Sequence, residues 1–147
     1  MFKLNKIYAN EEVDYYDSLK TLESEVVRLV NTERTKRGLQ PLGQNWELSR
    51  VARYKCNDMV KKGYFAHESP TYGSPFKMME SFGIRFSAGA ENIAKGQKNP
   101  QEVMNSWMNS AGHRSNIISP AYGEIGVGAA KDSNGNLYWT QMFIKPL

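Results

Sequence analysis

The sequence predicts an α+β domain in which helices pack on an antiparallel sheet. Three observations carry this. Apolar residues recur at helical spacing through much of the chain, while its end is filled by runs rich in branched and aromatic residues. An Asn-Gly turn, Asn134-Gly135, joins the last two of those runs. With 147 residues, 40% of them hydrophobic, there is chain enough for one core. No repeat or low-complexity stretch suggests a second domain.

Each element follows in order. Residues 1–17 are polar and spotted with aromatics, and read as an N-terminal arm or tail ahead of a single domain over 18–147. From Leu19, the positions Leu22, Val26, Leu29 and Val30 keep one helical face apolar, and Gly38 supplies a stop. A second helix starts near Trp46, with Leu48, Val51, Ala52, Cys56 and Met59 on one face and Gly63 after it. Ser74-Pro75 opens a short third helix carrying Phe76, Met79 and Phe82, closed by Gly83. Asn99-Pro100 opens a fourth, with Glu102 placed for a capping box ahead of Val103, Met104, Trp107 and Met108. Strands are expected at 92–94, at 124–130 and at 137–144, the last two forming a hairpin.

The bulk properties exclude more than they specify. A net charge of +4 is mildly basic and scattered, without the basic stripe interleaved with aromatics that a nucleic-acid module needs. The single cysteine, Cys56, allows no internal disulfide and sits on an apolar helical stripe, where a small buried residue is expected. No run is long and apolar enough for a membrane span, and a monomer is expected. Residues 1–17 lack the apolar stretch of a signal peptide. The chain is therefore either intracellular or a mature form whose export signal is gone.

The chemistry concentrates in three phrases. Tyr64-Phe65-Ala66-His67-Glu68-Ser69-Pro70 and Trp107-Met108-Asn109-Ser110-Ala111-Gly112-His113-Arg114 hold the only two histidines, and Gly89-Ala90-Glu91-Asn92-Ile93-Ala94 holds a glutamate. Imidazole titrates nearest neutrality and is the commonest metal ligand. In order along the chain they join Asn31-Thr32-Glu33-Arg34, Gly38-Leu39-Gln40-Pro41-Leu42, Ile125-Gly126-Val127-Gly128 and Trp139-Thr140-Gln141. Together these phrases resemble the CAP superfamily of cysteine-rich secretory, antigen 5 and pathogenesis-related proteins, and most of all its compact bacterial branch. The resemblance covers about residues 22–144.

That resemblance implies a three-layer α-β-α sandwich with a central antiparallel sheet, and an extracytoplasmic, secreted or surface location, lipid-anchored or free. It also implies a cleft in which His67 and His113 face acidic residues and bind a divalent metal, zinc foremost. Glu91 matches the first acid. The second acid of the family's pattern follows the helical tryptophan by three positions, and here that place is Ser110, so the tetrad is incomplete.

Two imidazoles supply half of a tetrahedral zinc shell, so such a site is weak and exchangeable. Glu91 has two open roles: orienting an imidazole through a hydrogen bond, or tying down strand and loop amides as a buried carboxylate. Ser69, Ser110 and Ser115 invite a hydrolase reading, but none stands in a Gly-x-Ser-x-Gly turn, and capping or lining the cleft suits them better. Asn92 fixes backbone on this reading, and Trp107, Trp139 and Phe143 belong to the core. Tyr64, Tyr72 and Tyr122 either rim the cleft or form its wall. The methionines Met78, Met79, Met104 and Met108 suit helix packing.

Three functions are compared. The first is a non-enzymatic binding module for a protein, glycan or lipid. The second is a metal-dependent hydrolase, a peptidase or peptidoglycan-acting enzyme, with a metal on the histidines and Glu91 as base. The third, a lipid or sterol carrier, comes from the resemblance. The missing second carboxylate favours the first.

Overall fold

The computed structural model describes residues 2–147, with side chains from Tyr15 onward. Five helices surround four strands: α1 (Phe2–Thr35), β1 (Gly43–Gln44), α2 (Trp46–Lys62), α3 (Pro75–Ser81), β2 (Phe86–Lys95), α4 (Pro100–Met108), α5 (Ala111–Ile117), β3 (Glu124–Lys131) and β4 (Leu137–Pro146). The expected caps of α3 and α4 form, and α2 has one at Asn45 that was not among them. Asn45, Ser74 and Asn99 each accept a hydrogen bond from the backbone of the turn they open, and Gly63 ends α2 in the left-handed region.

The sheet runs β1-β3-β4-β2. β4 is its spine, antiparallel to β3 on one side and to β2 on the other. The sheet is not wholly antiparallel as expected, because β1 pairs with β3 in parallel, Gly43 against Glu124. Two residues are too few to show alternation, so nothing in the sequence marks this strand. β2 also exceeds the expected 92–94, because its first half carries small residues with no periodic signal. α1 begins at Phe2 rather than near Leu19, so the helix also takes in residues 2–17, the stretch read as an arm or tail; Met1 lies outside the described residues.

Helices cover both faces of the sheet. On one, Ile125, Val127, Ala129, Trp139 and Phe143 meet Leu19, Val26 and Val30 of α1, Val103, Met104 and Trp107 of α4, and Ile117 of α5. On the other, α2 and α3 press Leu48, Val51, Met78 and Met79 onto Met142 and Ile144, while Cys56 and Met59 meet Ile93 and Tyr138. This is the three-layer α-β-α sandwich. On α3 the buried residues are Pro75, Met78 and Met79, and Phe76 points outward, 46% exposed. No helix among the described residues is long and apolar enough to cross a membrane.

Polar side chains finish what the layers leave open. Past the short β1, the outer edge of β3 is sealed. The Val127 N–H donates to Ser49 Oγ at 3.2 Å, the Ala129 N–H to Glu23 Oε2 at 3.0 Å and the Lys131 N–H to Tyr15 Oη at 3.4 Å. Glu23 is itself held by both arms of the Arg53 guanidinium, at 3.0 and 2.6 Å. Asn31 clamps the Leu42 backbone, and the buried Arg34 donates to the carbonyls of Gln40, Ile117 and Ser119. The first two sequence phrases are thus structural.

α2 lies so close to β3 that no side chain fits between them at two points. A Cβ on Gly126 would overlap the Leu48–Ser49 backbone, and one on Gly128 the Ala52–Arg53 backbone. The obstacle is helix backbone, which cannot swing aside. Gly126→Ala and Gly128→Ala are each expected to cost about 3 kcal/mol, the upper end for an overpacked interior. Urea unfolding checks this, and a loss below about 1 kcal/mol would show that α2 shifts freely.

Candidate functional site

The site is built around the outer strand β2, with one histidine delivered from each helical layer. His67 comes from the loop after α2, whose shape is set from below by α2 itself. Asp58, 7% exposed, accepts hydrogen bonds from Ser69 Oγ and Thr71 Oγ1, both at 2.6 Å, and from the Tyr64 hydroxyl. Ser69 Oγ in turn accepts from the Thr71 and Tyr72 amides at 3.0 and 2.9 Å. Lys55, fully buried, donates to the His67 carbonyl and holds its ammonium 5.5 Å from the centre of the Tyr64 ring.

The His67 ring is fixed from β2. Its Nδ1 lies 2.8 Å from Oε1 of Glu91, whose side chain is only 1% exposed. With the carboxylate accepting, Nδ1 carries the proton and Nε2 is left with a lone pair; no described residue bonds to it. Of the two roles open to Glu91, orienting an imidazole is the one its geometry fits. Burial pushes the Glu91 carboxyl above its ordinary range, opposed by the His67 hydrogen bond and by the charge of Lys55. Its Oε2 is buried without a partner.

His113 arrives from the opposite layer. The apolar spacing of the fourth helix gives no sign of a break before His113, yet that helix stops at Met108, and Ser110 begins a new helix with His113 in its first turn. Ser110 occupies the cap position but makes no side-chain cap bond, so its hydroxyl stays available to the cleft. Asn92, fully buried on β2, moors this helix. Its Nδ2 donates to the His113 carbonyl at 3.0 Å and to Gln141 Oε1 at 3.1 Å, and its Oδ1 accepts from Asn116 at 2.9 Å. Burial, and then the charge His67 carries whenever it is protonated, lower the His113 pKa from its ordinary value.

Both histidines line one cleft of about 470 Å³. Ile93, Ala94 and Trp107 form its apolar floor, and Phe65, Lys95, Ser106 and Ser110 stand around it. Trp107 is core and floor at once, its indole N–H held by the Ile93 carbonyl at 3.1 Å. The three candidate rim tyrosines are elsewhere: Tyr64 serves Asp58, Tyr72 packs on Phe82 and Tyr122 on Phe143. Ser69 is a loop anchor, and Ser115 bonds the Gly112 carbonyl of its own helix. Sequence reasoning missed Lys55 and Asp58. Their signal was present, since both fall on the stripe of α2 that carries Val51, Cys56 and Met59.

No group of three or more His, Cys, Asp or Glu side chains gathers at metal-binding distance among the described residues.

The profile of the cysteine-rich secretory protein (CAP) family matches residues 27–143, and the chain belongs to that family. It is similar to the uncharacterized protein YkwD of Bacillus subtilis (strain 168), 54% identical over 127 residues, which cover 86% of this chain and 48% of YkwD. An extracellular protein containing an SCP domain from Bacillus anthracis has a solved structure that matches with a TM-score of 0.81 at 28% identity, over 86% of this chain and 41% of that one. An outer surface protein of Borrelia burgdorferi shares the fold, with a TM-score of 0.78 at 20% identity over 84% and 92% of the two chains. This chain therefore spans about half or less of the length of YkwD and of the Bacillus anthracis protein.

Asp58 makes the His67 loop sensitive to acid. Burial alone would raise its pKa, but the Ser69, Thr71 and Tyr64 hydroxyls and the charge of Lys55 bring it below its ordinary 3.8. Its ionised form is the one the fold stabilises. That contribution is present above pH 3.8 and is lost as pH falls through the lowered value. Asp58→Asn is expected to cost about 1–3 kcal/mol at neutral pH and to flatten the acid limb of the stability curve. Unfolding measured from pH 2 to 7 checks this, and parallel curves for parent and variant would remove Asp58 from that role.

Proposed function

We propose that this chain is the ligand-binding domain of an extracytoplasmic protein, free or lipid-anchored, and that its ligand sits in the cleft between His67 and His113. One observation supports this above the rest: two imidazoles and an apolar floor line the cleft, while the nearby carboxylate of Glu91 is buried behind His67 and outside that lining. A general base must reach the proton it abstracts, and Glu91 reaches only the ring of His67. The hydroxyl of Ser110 stands where a second acid would act. The extracellular Bacillus anthracis relative supports export.

A divalent ion fits this donor set in a limited way. His67 Nε2 and His113 would hold it, and Glu91 would keep the His67 ring aligned through Nδ1. Bound there, zinc would act as a Lewis acid towards a ligand oxygen. With two protein ligands the site is open and exchangeable, and ligand binding does not require the ion. Zinc calorimetry is expected to show weak binding that disappears as pH falls and the imidazoles protonate. Equal affinity in the His67→Ala, His113→Ala double variant would place the ion elsewhere.

The binding reading is tested by amide chemical shifts of labelled, metal-free protein titrated with three probes: casein peptides, a peptidoglycan digest and phosphatidylglycerol micelles. Shifts centred on Ser106, Ser110 and His113 are expected with one of them. Shifts confined to other surfaces with all three would overturn the cleft as the ligand site. In parallel, zinc-loaded protein is expected to leave casein and peptidoglycan intact. Turnover that Glu91→Gln and His113→Ala both abolish would replace the binding module with the metal-dependent hydrolase.

A further inference from the structure

The two outer edges of the sheet are finished differently. On β3, side chains of Ser49, Glu23 and Tyr15 take up successive outward N–H groups. On β2 the phase of the ladder is set by the Gly96 N–H, which donates to the Leu137 carbonyl at 2.8 Å. In that phase Ala94, Asn92 and Ala90 exchange hydrogen bonds with β4, and Lys95, Ile93, Glu91 and Gly89 direct N–H and C=O outward. Two side-chain bonds to the outer edge agree with this phase: Trp107 Nε1 to the Ile93 carbonyl, and the Tyr122 hydroxyl to the Gly89 carbonyl at 3.4 Å.

Of that outward set, Ile93 and Lys95 stand in the cleft. Among the described residues, no group bonds to the N–H of Ile93 or to the N–H and C=O of Lys95. Both residues line the cleft, between Trp107 and Ser110 on one side and Phe65 and Ala66 on the other. An unpaired strand edge is normally covered or blunted, because it is a template for another extended chain. Here one edge of the sheet is covered with side chains, and the other is left open at the bottom of a groove.

We propose that the cleft binds an extended acidic peptide as an added strand on β2, through main-chain hydrogen bonds to Ile93 and Lys95. This deepens the binding reading and rests on it. The repeat decides for a peptide: outward N–H groups two residues apart recur every ~6.6–6.8 Å, which is the spacing of carbonyls along another extended chain. Charge decides for an acidic one. Lys95 is the one lysine or arginine among the residues that line the cleft, and no acidic side chain stands with it there. The volume lies within the roughly 300–1,000 Å³ typical of ligand sites. Strand addition of this kind takes its affinity from the backbone and its selectivity from alternate side chains. The carboxylates would then sit on every second residue, with one of them facing Lys95.

The test uses the whole chain, labelled with 15N, and a blocked pentapeptide of alternating alanine and glutamate. At saturating peptide, hydrogen exchange at the Ile93 and Lys95 amides is expected to slow by about tenfold or more, while Ala94, already paired with β4, stays unchanged. A peptide N-methylated at the residues facing β2, and one with lysine for glutamate, should each bind about tenfold more weakly. Lys95→Pro, which removes an edge N–H that no other strand uses, should weaken binding by about the same factor. If that variant fails to fold, the N-methylated peptide carries the comparison alone. Absence of binding at millimolar peptide, binding that leaves both amides unprotected, or equal binding of the lysine peptide would overturn the proposal. The three-probe titration, run on the same sample, separately reports whether the cleft takes some other ligand.

Discussion

The close approach of α2 to β3 is the constraint on which the rest of the molecule depends. Gly126 and Gly128 present bare backbone to the Leu48–Arg53 segment, so the helix rests directly on the strand. Sheets and helices usually meet through a layer of interdigitated side chains. Removing that layer lowers α2 until Ser49 reaches the Val127 amide and Cys56 the Gly128 carbonyl. The same descent carries Lys55 and Asp58 below the surface, where they shape the loop that holds His67. A helix seated higher would leave both in water.

Polar residues do the positioning in this domain, and apolar ones supply the platform. Glu91, Asn92, Lys55 and Asp58 are all buried, and each bonds to groups that belong to the site or its scaffold. A buried polar group left unpaired is costly, so each of these contacts allows few alternatives. The cleft is consequently held from two directions. Its His67 side hangs on Lys55, Asp58 and Glu91, and its His113 side on Asn92. Adjacent residues of β2 point to opposite faces, so Glu91 and Asn92 address the two histidines from one strand.

Family membership fixes the scaffold, and the geometry brings few acid–base groups to its cleft. One carboxylate is committed to orienting an imidazole, and the place of a second holds the serine that starts α5. The proposed binding role rests on that balance. The unequal treatment of the two sheet edges agrees with that balance, since the open one lies within the cleft.

By itself the sequence determined the class of fold, most helix boundaries and the terminal hairpin, because caps, periodicity and turn chemistry are local. Through the resemblance of its ordered phrases it also grouped His67, Glu91 and His113, and put Ser110 where the family's pattern has a second acid. Only the tertiary structure decided what Glu91 does, because the choice between imidazole and backbone depends on which loop crosses the strand. It also decided that Lys55 and Asp58 serve the site, that β1 exists as a parallel strand, and that the helix after Trp107 breaks before His113. These features arise from contacts between residues far apart in the chain. A pattern read along one segment carries no record of what will pack against it.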